Sequence, residues 1–262
     1  MTDAPILVTR PEHQADELRV LLAARGIATV AVPTVTIDRG STAGDLDVML
    51  ASLDDAAWLV LTSANGADAL RERMRVTGTR LPRRLRVAAV GPATADALAL
   101  GGVAVDHVPD AYLTVEIAEG MGDVTGRRVV LARADAATPD LRAELMARGA
   151  LVDEVVAYRT IEAPATSREP LAAALRGPLS GVTFTSSSTV RGLVALAAPF
   201  DATRVRALPA WCIGPVTAAT ARDAGFTVAG TSTEHTAEGL ADTIRDGLRA
   251  RRHDHASPGV DR

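Results

Sequence analysis

The sequence contains no lysine, so all 28 of its basic residues are arginines. The 32 acidic residues outnumber them, and the formal net charge is −4. A negatively charged chain without a basic run ahead of its C-terminal end is poorly suited to bind nucleic acid or an anionic membrane. The lysine-dependent phosphate loop of nucleotide-binding enzymes is excluded as well. We therefore expect neither a nucleic acid nor a membrane as a partner.

Cysteine and aromatic residues are also scarce. Cys212 is the only cysteine, which excludes an intrachain disulfide and a cysteine-based zinc cluster. Two Trp, two Tyr and three Phe are too few for the stacking surface of a single-strand nucleic-acid binder. The five histidines are scattered, and His253 and His255 lie in a polar tail where we expect them to be solvated. We predict no metal and no organic cofactor.

Long apolar runs are missing too. The first apolar run, Ile6–Val8, is too short for a signal-peptide core, and no segment reaches the roughly 18 apolar residues of a membrane span. The dinucleotide-binding glycine motif and the Gly-x-Ser-x-Gly nucleophile motif are absent. A composition of 47% hydrophobic and 23% charged residues is that of an ordinary globular protein. We expect a cytoplasmic protein of two modest domains.

One long internal repeat is present. Pairs of similar segments are separated by a constant 123 residues. The pairs are Ile6–Arg10 with Val129–Arg133, Leu59–Ser63 with Val182–Ser186, and Val90–Ala95 with Ile213–Ala218. A constant offset at separated landmarks indicates two copies of one structural unit.

Each copy alternates short apolar segments with helical ones. In the first copy we predict strands at Ile6–Thr9, Thr29–Val32, Trp58–Thr62 and Val87–Val90, and helices at Gln14–Arg25, Gly66–Val76 and Thr94–Leu100. The strands are continuous apolar runs, as in parallel sheets that are covered on both faces. The alternation predicts doubly wound α/β folds with parallel sheets.

Two segments rich in Gly, Ser, Pro and Thr interrupt the alternation. Residues 38–44 and 159–167 occupy similar places in the two copies, and we interpret them as linkers. If the chain crosses between lobes at both, residues 1–37 and 168–250 form one discontinuous lobe and residues 45–158 form the other. We expect a two-segment hinge, a ligand cleft between the lobes, and a disordered tail at 251–262.

Four predicted strand-to-helix turns carry small hydroxyl or amide side chains. The side chains are Ser63 and Asn65 in the first turn, Thr94 in the second, Ser186 and Ser187 in the third, and Thr217 in the fourth. Open α/β sheets bind ligands at the carboxyl ends of their strands, where helix N-termini attract carboxylates and phosphates. We predict that these residues bind a ligand with several anionic groups. The alternative is that the hydroxyls only cap helices.

Three further side chains have a possible chemical role. Arg10 follows the first strand and is placed to meet a ligand carboxylate, the alternative being a surface ion pair. Tyr158 ends a strand, where its phenol can donate a hydrogen bond or a proton to a leaving group. The alternative is a packed ring with its hydroxyl in solvent. Cys212, beside Trp211 in an apolar strand, is expected to be a buried hydrophobe rather than a nucleophile.

The same segments resemble those of the uroporphyrinogen-III synthase family. The similar segments are Ile6–Pro11, Pro33–Ile37, Leu61–Gly66, Val90–Ala95, Val156–Thr160 and Ile213–Ala218, in the family's order and spacing from about residue 5 to 244. The resemblance implies two Rossmann-like or flavodoxin-like lobes. It also implies cyclisation of the linear tetrapyrrole hydroxymethylbilane to uroporphyrinogen III, with inversion of ring D, loss of water and no cofactor.

The resemblance extends to individual residues. It implies that Tyr158 assists departure of the hydroxymethyl oxygen, and that Ser63, Thr94, Ser186 and Thr217 lie at ligand-contacting turns. Val216 differs from the hydroxyl residue that the family also has there. A monomer that receives its substrate from porphobilinogen deaminase is expected. Without the resemblance, the sequence leaves two alternative functions open. One is a cytoplasmic two-lobed binding or sensor module for a polycarboxylate, and the other, less favoured, is a nucleotide-sugar transferase.

Overall fold

The computed structural model describes residues 4–109, 114–199 and 201–256. The strands are β1 Ile6–Val8, β2 Thr29–Ala31, β3 Val35–Asp38, β4 Trp58–Leu61, β5 Arg86–Ala89, β6 Arg128–Ala134, β7 Leu151–Glu162, β8 Gly181–Phe184, β9 Ala210–Cys212 and β10 Val228–Thr231. The α-helices are α1 Glu12–Ala24, α2 Ala43–Ala51, α3 Ala64–Thr77, α4 Pro92–Ala99, α5 Asp140–Ala147, α6 Arg168–Arg176, α7 Ser187–Ala197, α8 Ala202–Arg206, α9 Pro215–Asp223 and α10 Ala237–Ala256. Short 3-10 helices cover Leu53–Asp55, Thr114–Met121 and Ala165–Ser167.

The chain divides into two compact units. Unit 1 consists of Met1–Thr36 and Ile161–Arg262, and unit 2 of Ile37–Thr160, so the divisions fall inside β3 and β7. Two five-stranded sheets have the orders β10-β9-β8-β1-β2 and β3-β7-β6-β4-β5. Strand pairing within them is predominantly parallel, which confirms the predicted α/β class.

Each of the two sheets combines strands from both copies of the repeat. The first copy supplies β1 and β2 to the sheet of unit 1, where the second copy supplies β8 to β10. The sheet of unit 2 combines β4 and β5 from the first copy with β6 and β7 from the second. In the resulting registers Leu7 pairs with Val182 and Leu59 with Val130. Neither copy of the repeat therefore forms a sheet by itself.

Each sheet is covered on both faces, which explains why its strands are continuously apolar. Leu7 packs into one buried cluster of unit 1, and its neighbour Ile6 packs into another together with Trp211. In unit 2, Leu59 and Val60 point into separate clusters in the same way. Successive side chains of a strand point to opposite faces, so burial on both faces requires apolar residues at every position.

The segments expected to be linkers are partly regular. Strand β3 extends to Asp38 and α2 begins at Ala43, while β7 continues to Glu162 and a 3-10 helix follows at Ala165–Ser167.

Helix α10 reaches into the segment that we expect to be a disordered tail, residues 251–262. Helix α10 continues through Ala256, and the guanidinium carbon of Arg251 lies 5.7 Å from the centre of the Trp211 ring. Arginine and alanine favour helix, in agreement with the continuation of α10 to this point. Residues 257–262 lie outside the described part of the chain.

Cys212 in β9 is buried, in agreement with its predicted role as a small hydrophobe. Burial disfavours the thiolate and raises the pKa of this thiol from 9.0 to about 11. At about pH 8 we therefore expect iodoacetamide to leave native Cys212 unmodified but to add one group per chain in denaturant, as measured by mass spectrometry. Equal labelling rates in the two conditions would contradict the buried placement.

Candidate functional site

The first and third of the four predicted turns have the same shape. Ser63 (φ −163°, ψ 152°) precedes α3, and Ser186 (φ −165°, ψ 162°) precedes α7. The hydroxyl oxygen of Ser63 accepts a hydrogen bond from the N–H of Gly66 at 3.1 Å, and that of Ser186 accepts one from Thr189 at 3.2 Å. Both serines therefore cap helices, and their binding of a ligand stays a prediction.

The other two turns also match each other. Gly91 (φ −174°, ψ 178°) and Gly214 (φ −171°, ψ 175°) are followed by proline at the first helical position of α4 and α9. Thr94 and Thr217 occupy the third helical position and are buried. At Gly214 a Cβ would lie 3.1 Å from Cδ2 of His235, so a larger residue would displace that imidazole. Sequence reasoning did not associate His235 with this turn.

In unit 2 the structure brings three of the predicted residues together. The side chain of Tyr158 is only 6% exposed, and hydrogen bonding from the side chains of Ser63 and Asn65 acts on the pKa of its phenol. Ser63 and Asn65 follow β4 and open α3, while Tyr158 lies towards the carboxyl end of β7. Asn65 is also the only asparagine of the chain.

The phenol of Tyr158 is held in its neutral form. Burial raises its pKa because the phenolate is disfavoured away from water. Hydrogen bonds from Ser63 and Asn65 lower the pKa in opposition, and the charge of Asp135 adds to the rise. The net shift is upward, so at neutral pH the hydroxyl keeps its proton and can donate a hydrogen bond.

A β-bulge sets the position of Tyr158. Arg133 pairs with Val156 but Ala134 pairs with Tyr158, so Ala157 is an extra residue in β7. The carbonyl of Ala157 accepts a hydrogen bond at 2.9 Å from the hydroxyl of the fully buried Thr42. Bulges redirect side chains and are frequent beside active sites.

Asp135, which sequence reasoning missed, contacts the strand around Tyr158. Its N–H donates to the carbonyl of Tyr158 at 3.2 Å, and its Oδ1 accepts from the N–H of Thr160 at 3.2 Å. Its Oδ2 lies 3.7 Å from an Nη atom of Arg159. The sequence signal that could have identified Asp135 is its carboxylate directly after β6, a strand of the second copy.

In unit 1, helices α7 and α9 are joined through their hydroxyl groups. Oγ of Ser187 lies 2.7 Å from Oγ1 of Thr220, and Oγ of Ser186 lies 3.0 Å from Oγ of Ser188. The structure thus places Ser186 and Ser187 on one helix start and links it to the helix that carries Thr217.

Arg10 and Arg133 occupy equivalent positions in the repeat but differ in their partners. Arg10 is 14% exposed, with an Nη atom 3.1 Å from Glu17 and a buried Nε that has no hydrogen-bond partner in the described residues. Its burial lowers the pKa of the guanidinium, and Glu17 opposes this. Arg133 is buried and hydrogen-bonds to Glu154 and to the carbonyl of Thr138, so its donors serve the fold.

The sequence was compared with those of known families and proteins. A family model described as "Uroporphyrinogen-III synthase HemD" matches residues 16–242, which is most of the chain. The chain belongs to the uroporphyrinogen-III synthase family. This confirms the resemblance, and with it the enzymatic function of a uroporphyrinogen-III synthase, a cyclising lyase of porphyrin biosynthesis.

Individual relatives agree with this uroporphyrinogen-III synthase assignment. A protein of Synechococcus elongatus named "Uroporphyrinogen-III synthase" is 30% identical over 93% of this chain and 95% of its own length. "Porphyrin biosynthesis protein HemD" of Ruminiclostridium josui is 28% identical over 83% of this chain and 43% of its own length. A crystal structure of a mutant uroporphyrinogen III synthase of Thermus thermophilus covers 94% of this chain and all of that chain, with 19% identity and a TM-score of 0.65, and it supports the fold.

A cavity of about 960 Å³ in unit 2 does not coincide with the four strand-to-helix turns. It lies where the strands begin, beside Trp58, Arg86 and Arg128. Arg128 is paired with Asp55 and Asp153, and Arg86 lies over the ring of Trp58. These arginines lie at the ends where the strands begin, whereas Tyr158 lies towards the opposite, carboxyl ends.

The described residues lack two further kinds of feature, a metal-binding cluster and a membrane-spanning helix. They contain no group of three or more His, Cys, Asp or Glu side chains that could hold a metal ion. Within the same ranges, none of the helices has both the length and the apolar character needed to cross a membrane.

Proposed function

We propose that the chain cyclises hydroxymethylbilane to uroporphyrinogen III and that Tyr158 is the catalytic residue which assists departure of the hydroxymethyl oxygen. The observation that carries the proposal is the buried phenol of Tyr158, whose pKa is raised by burial and on which the side chains of Ser63 and Asn65 act. The phenol lies near the strand ends at which open α/β sheets bind their ligands.

The first chemical step is loss of the hydroxyl group. The bond from the hydroxymethyl carbon to oxygen breaks, the electron pair leaves with the oxygen, and a delocalised azafulvene cation remains. A hydrogen bond from the Tyr158 hydroxyl stabilises the oxygen as its charge develops. A carbon of ring D then attacks the cation, and ring D finally releases one proton, which combines with the hydroxide to give water.

The harder task is to direct the attack. Unassisted closure is chemically easy but gives the uninverted isomer, so the enzyme must hold the substrate in the geometry that leads through a spiro intermediate. Catalysis of this kind relies on positioning more than on strong acid–base groups.

We propose that the substrate carboxylates are bound by the strand-to-helix turns. Helix N-termini supply N–H groups and hydroxyls, as at Ser63, Thr94, Ser186, Ser187 and Thr217. The buried Nε of Arg10 is a further donor that a carboxylate would satisfy. With no lysine in the chain, backbone amides, hydroxyls and guanidinium groups must share this work.

An assay coupled to porphobilinogen deaminase tests the proposed function. The products are oxidised and the porphyrin isomers are separated by chromatography. We expect isomer III to form faster than spontaneous closure, which yields isomer I. Only isomer I, formed at the spontaneous rate, would overturn the enzymatic function and favour the alternative of a polycarboxylate-binding module.

Substitution of single turn hydroxyls is expected to have a mild effect, because binding is distributed. Thr94→Val or Thr217→Val removes one hydroxyl at nearly constant volume and should lower kcat/KM by no more than about tenfold, the equivalent of one neutral hydrogen bond. Thr203→Val, at an exposed position of α8, is the matched control. Abolished activity in a variant that circular dichroism shows to be folded would contradict distributed binding.

We further propose that the protein is a cytoplasmic monomer that receives its substrate from porphobilinogen deaminase. Hydroxymethylbilane closes unaided, so a short transfer path would limit formation of isomer I. A buried, unpaired Cys212 is compatible with a reducing compartment. Sedimentation of the protein with and without the deaminase measures both the oligomeric state and the association.

A further inference from the structure

The end of β7 carries a small charge cluster, formed by Asp38, Asp135 and Arg159. Arg159 lies 3.7 Å from Asp135, and its charge also acts on Asp38, whose pKa is lowered mainly by hydrogen bonds from Ser41. Two carboxylates face one guanidinium, so the cluster has a net charge of about −1 at neutral pH. Arg159 is half exposed, whereas the side chain of Asp135 is 27% exposed.

We propose that Asp135 is a positioning residue of the reaction, which fixes the backbone around Tyr158 and supplies a negative charge that favours the azafulvene cation. This inference deepens the proposed function and rests on it.

The geometry shows how Asp135 fixes the backbone. It accepts the N–H of Thr160 and donates its own N–H to the carbonyl of Tyr158, so it holds the peptide groups on both sides of Arg159, the first of which belongs to Tyr158. The loop that carries it is also anchored, because the buried Arg133 donates to the carbonyl of Thr138 at 2.8 Å. Asp135 thus has little freedom to move relative to Tyr158.

The charge of Asp135 also acts on the phenol, as the smallest of the four effects on its pKa. Burial and the nearby carboxylate both oppose formation of the phenolate, so Tyr158 acts as a neutral donor that keeps its proton. When the carbon–oxygen bond breaks, the electron pair leaves with the oxygen and positive charge remains on the azafulvene. A fixed carboxylate in the partly dry site stabilises that charge without gaining or losing a proton. The proton that turns hydroxide into water still comes from ring D.

Asp135→Asn separates the two roles. The amide oxygen can still accept from Thr160, but the negative charge is lost. We expect kcat to fall about fivefold to tenfold with KM within about twofold, and the share of isomer III to decrease. Asp123→Asn is the matched control, because Asp123 likewise accepts a backbone N–H, from Thr125 at 3.0 Å, but lies before the start of β6.

The phenol itself provides a second readout. The chain has two tyrosines, so ¹³C labelling of the tyrosine Cζ atoms gives two resonances, and Tyr158→Phe identifies one of them.

Asp135→Asn should lower the pKa of the Tyr158 phenol. Activity that needs the protonated phenol is present below this pKa and lost as pH rises through it, so the alkaline limb of the activity profile should move to lower pH. Asp135→Glu, which keeps the charge, should retain a higher phenol pKa than Asp135→Asn.

Two results would overturn the inference. One is a variant Asp135→Asn with unchanged phenol titration, kcat and isomer share. The other is lost activity with unchanged titration and a lowered unfolding free energy, which would indicate a purely structural role. Failure of the proposed function is a distinct result, in which the wild-type chain itself forms only isomer I, and the inference would then fall with it.

Discussion

Tyr158→Phe is expected to lower kcat by about 10- to 100-fold, the largest effect of any single replacement at the site. The ring and its packing are preserved, so the loss reports the hydroxyl alone. Without it, the departing oxygen has no donor from Tyr158, and Ser63 and Asn65 lose a partner in a buried location. Because spontaneous closure continues, the remaining product should shift towards isomer I.

The pH dependence distinguishes this explanation from a general loss of structure. In the wild-type chain, activity should fall as pH rises through the raised phenol pKa, and this alkaline limb should be absent in Tyr158→Phe. Denaturant unfolding of both proteins serves as the control for stability. An alkaline limb that persists unchanged in the variant would show that another group titrates, and Tyr158 would no longer be the catalytic residue.

Gly192→Ala is expected to lower the free energy of unfolding by about 2–4 kcal/mol. A Cβ at Gly192 in α7 would lie 2.1 Å from the carbonyl oxygen of Thr34. That oxygen already accepts the N–H of Ala163 at 2.9 Å, and the Thr34 hydroxyl donates to the carbonyl of Thr189 at 2.9 Å. The new Cβ would therefore clash with the backbone of Thr34, which two hydrogen bonds hold in place, so relief of the clash would cost free energy.

Urea unfolding of this variant should be compared with that of Gly177→Ala. Gly177 follows α6 with φ −93°, and a Cβ there would lie 3.8 Å from the carbonyl oxygen of Ala174, an ordinary contact. We expect that control to change the free energy of unfolding by no more than about 1 kcal/mol. Equal stabilities of the two variants would refute the close approach of α7 to Thr34.

The fold class could be predicted because its signals are local. The strand predicted at Trp58–Thr62 is observed at Trp58–Leu61, and the one predicted at Ile6–Thr9 at Ile6–Val8. Continuous apolar runs bounded by Gly, Pro or Arg identify such strands without any knowledge of their partners. The extent of β7 was harder to predict, because its last residues are polar and depend on pairing for their structure.

The candidate site could be predicted only in part. Ser63, Asn65 and Tyr158 meet as strand-end residues of a parallel sheet should, although whether they bind substrate stays a prediction. The bulge at Ala157 depends on the register between two strands, and no local pattern encodes it.

Equivalent positions of the repeat can differ in their tertiary partners, which the repeat alone does not reveal. Arg133 occupies the position equivalent to Arg10, but the second copy places Glu154 at the position that Ala31 holds in the first, and Arg133 pairs with it. A buried guanidinium requires a hydrogen-bonded counter-charge, and a single copy of the repeat does not reveal whether one is present.

The exchange of strands between the two sheets also sets the order in which the chain can fold as it is synthesised. Strand β1 is made first and is fully buried, yet its neighbour β8 begins only at Gly181, after all of unit 2. A nascent chain that ends near residue 160 can thus complete one sheet, while β1 and β2 form a two-stranded remnant, which is marginal in water. The unpaired, apolar edge of β1 can therefore pair with other chains until the last third of the protein has left the ribosome.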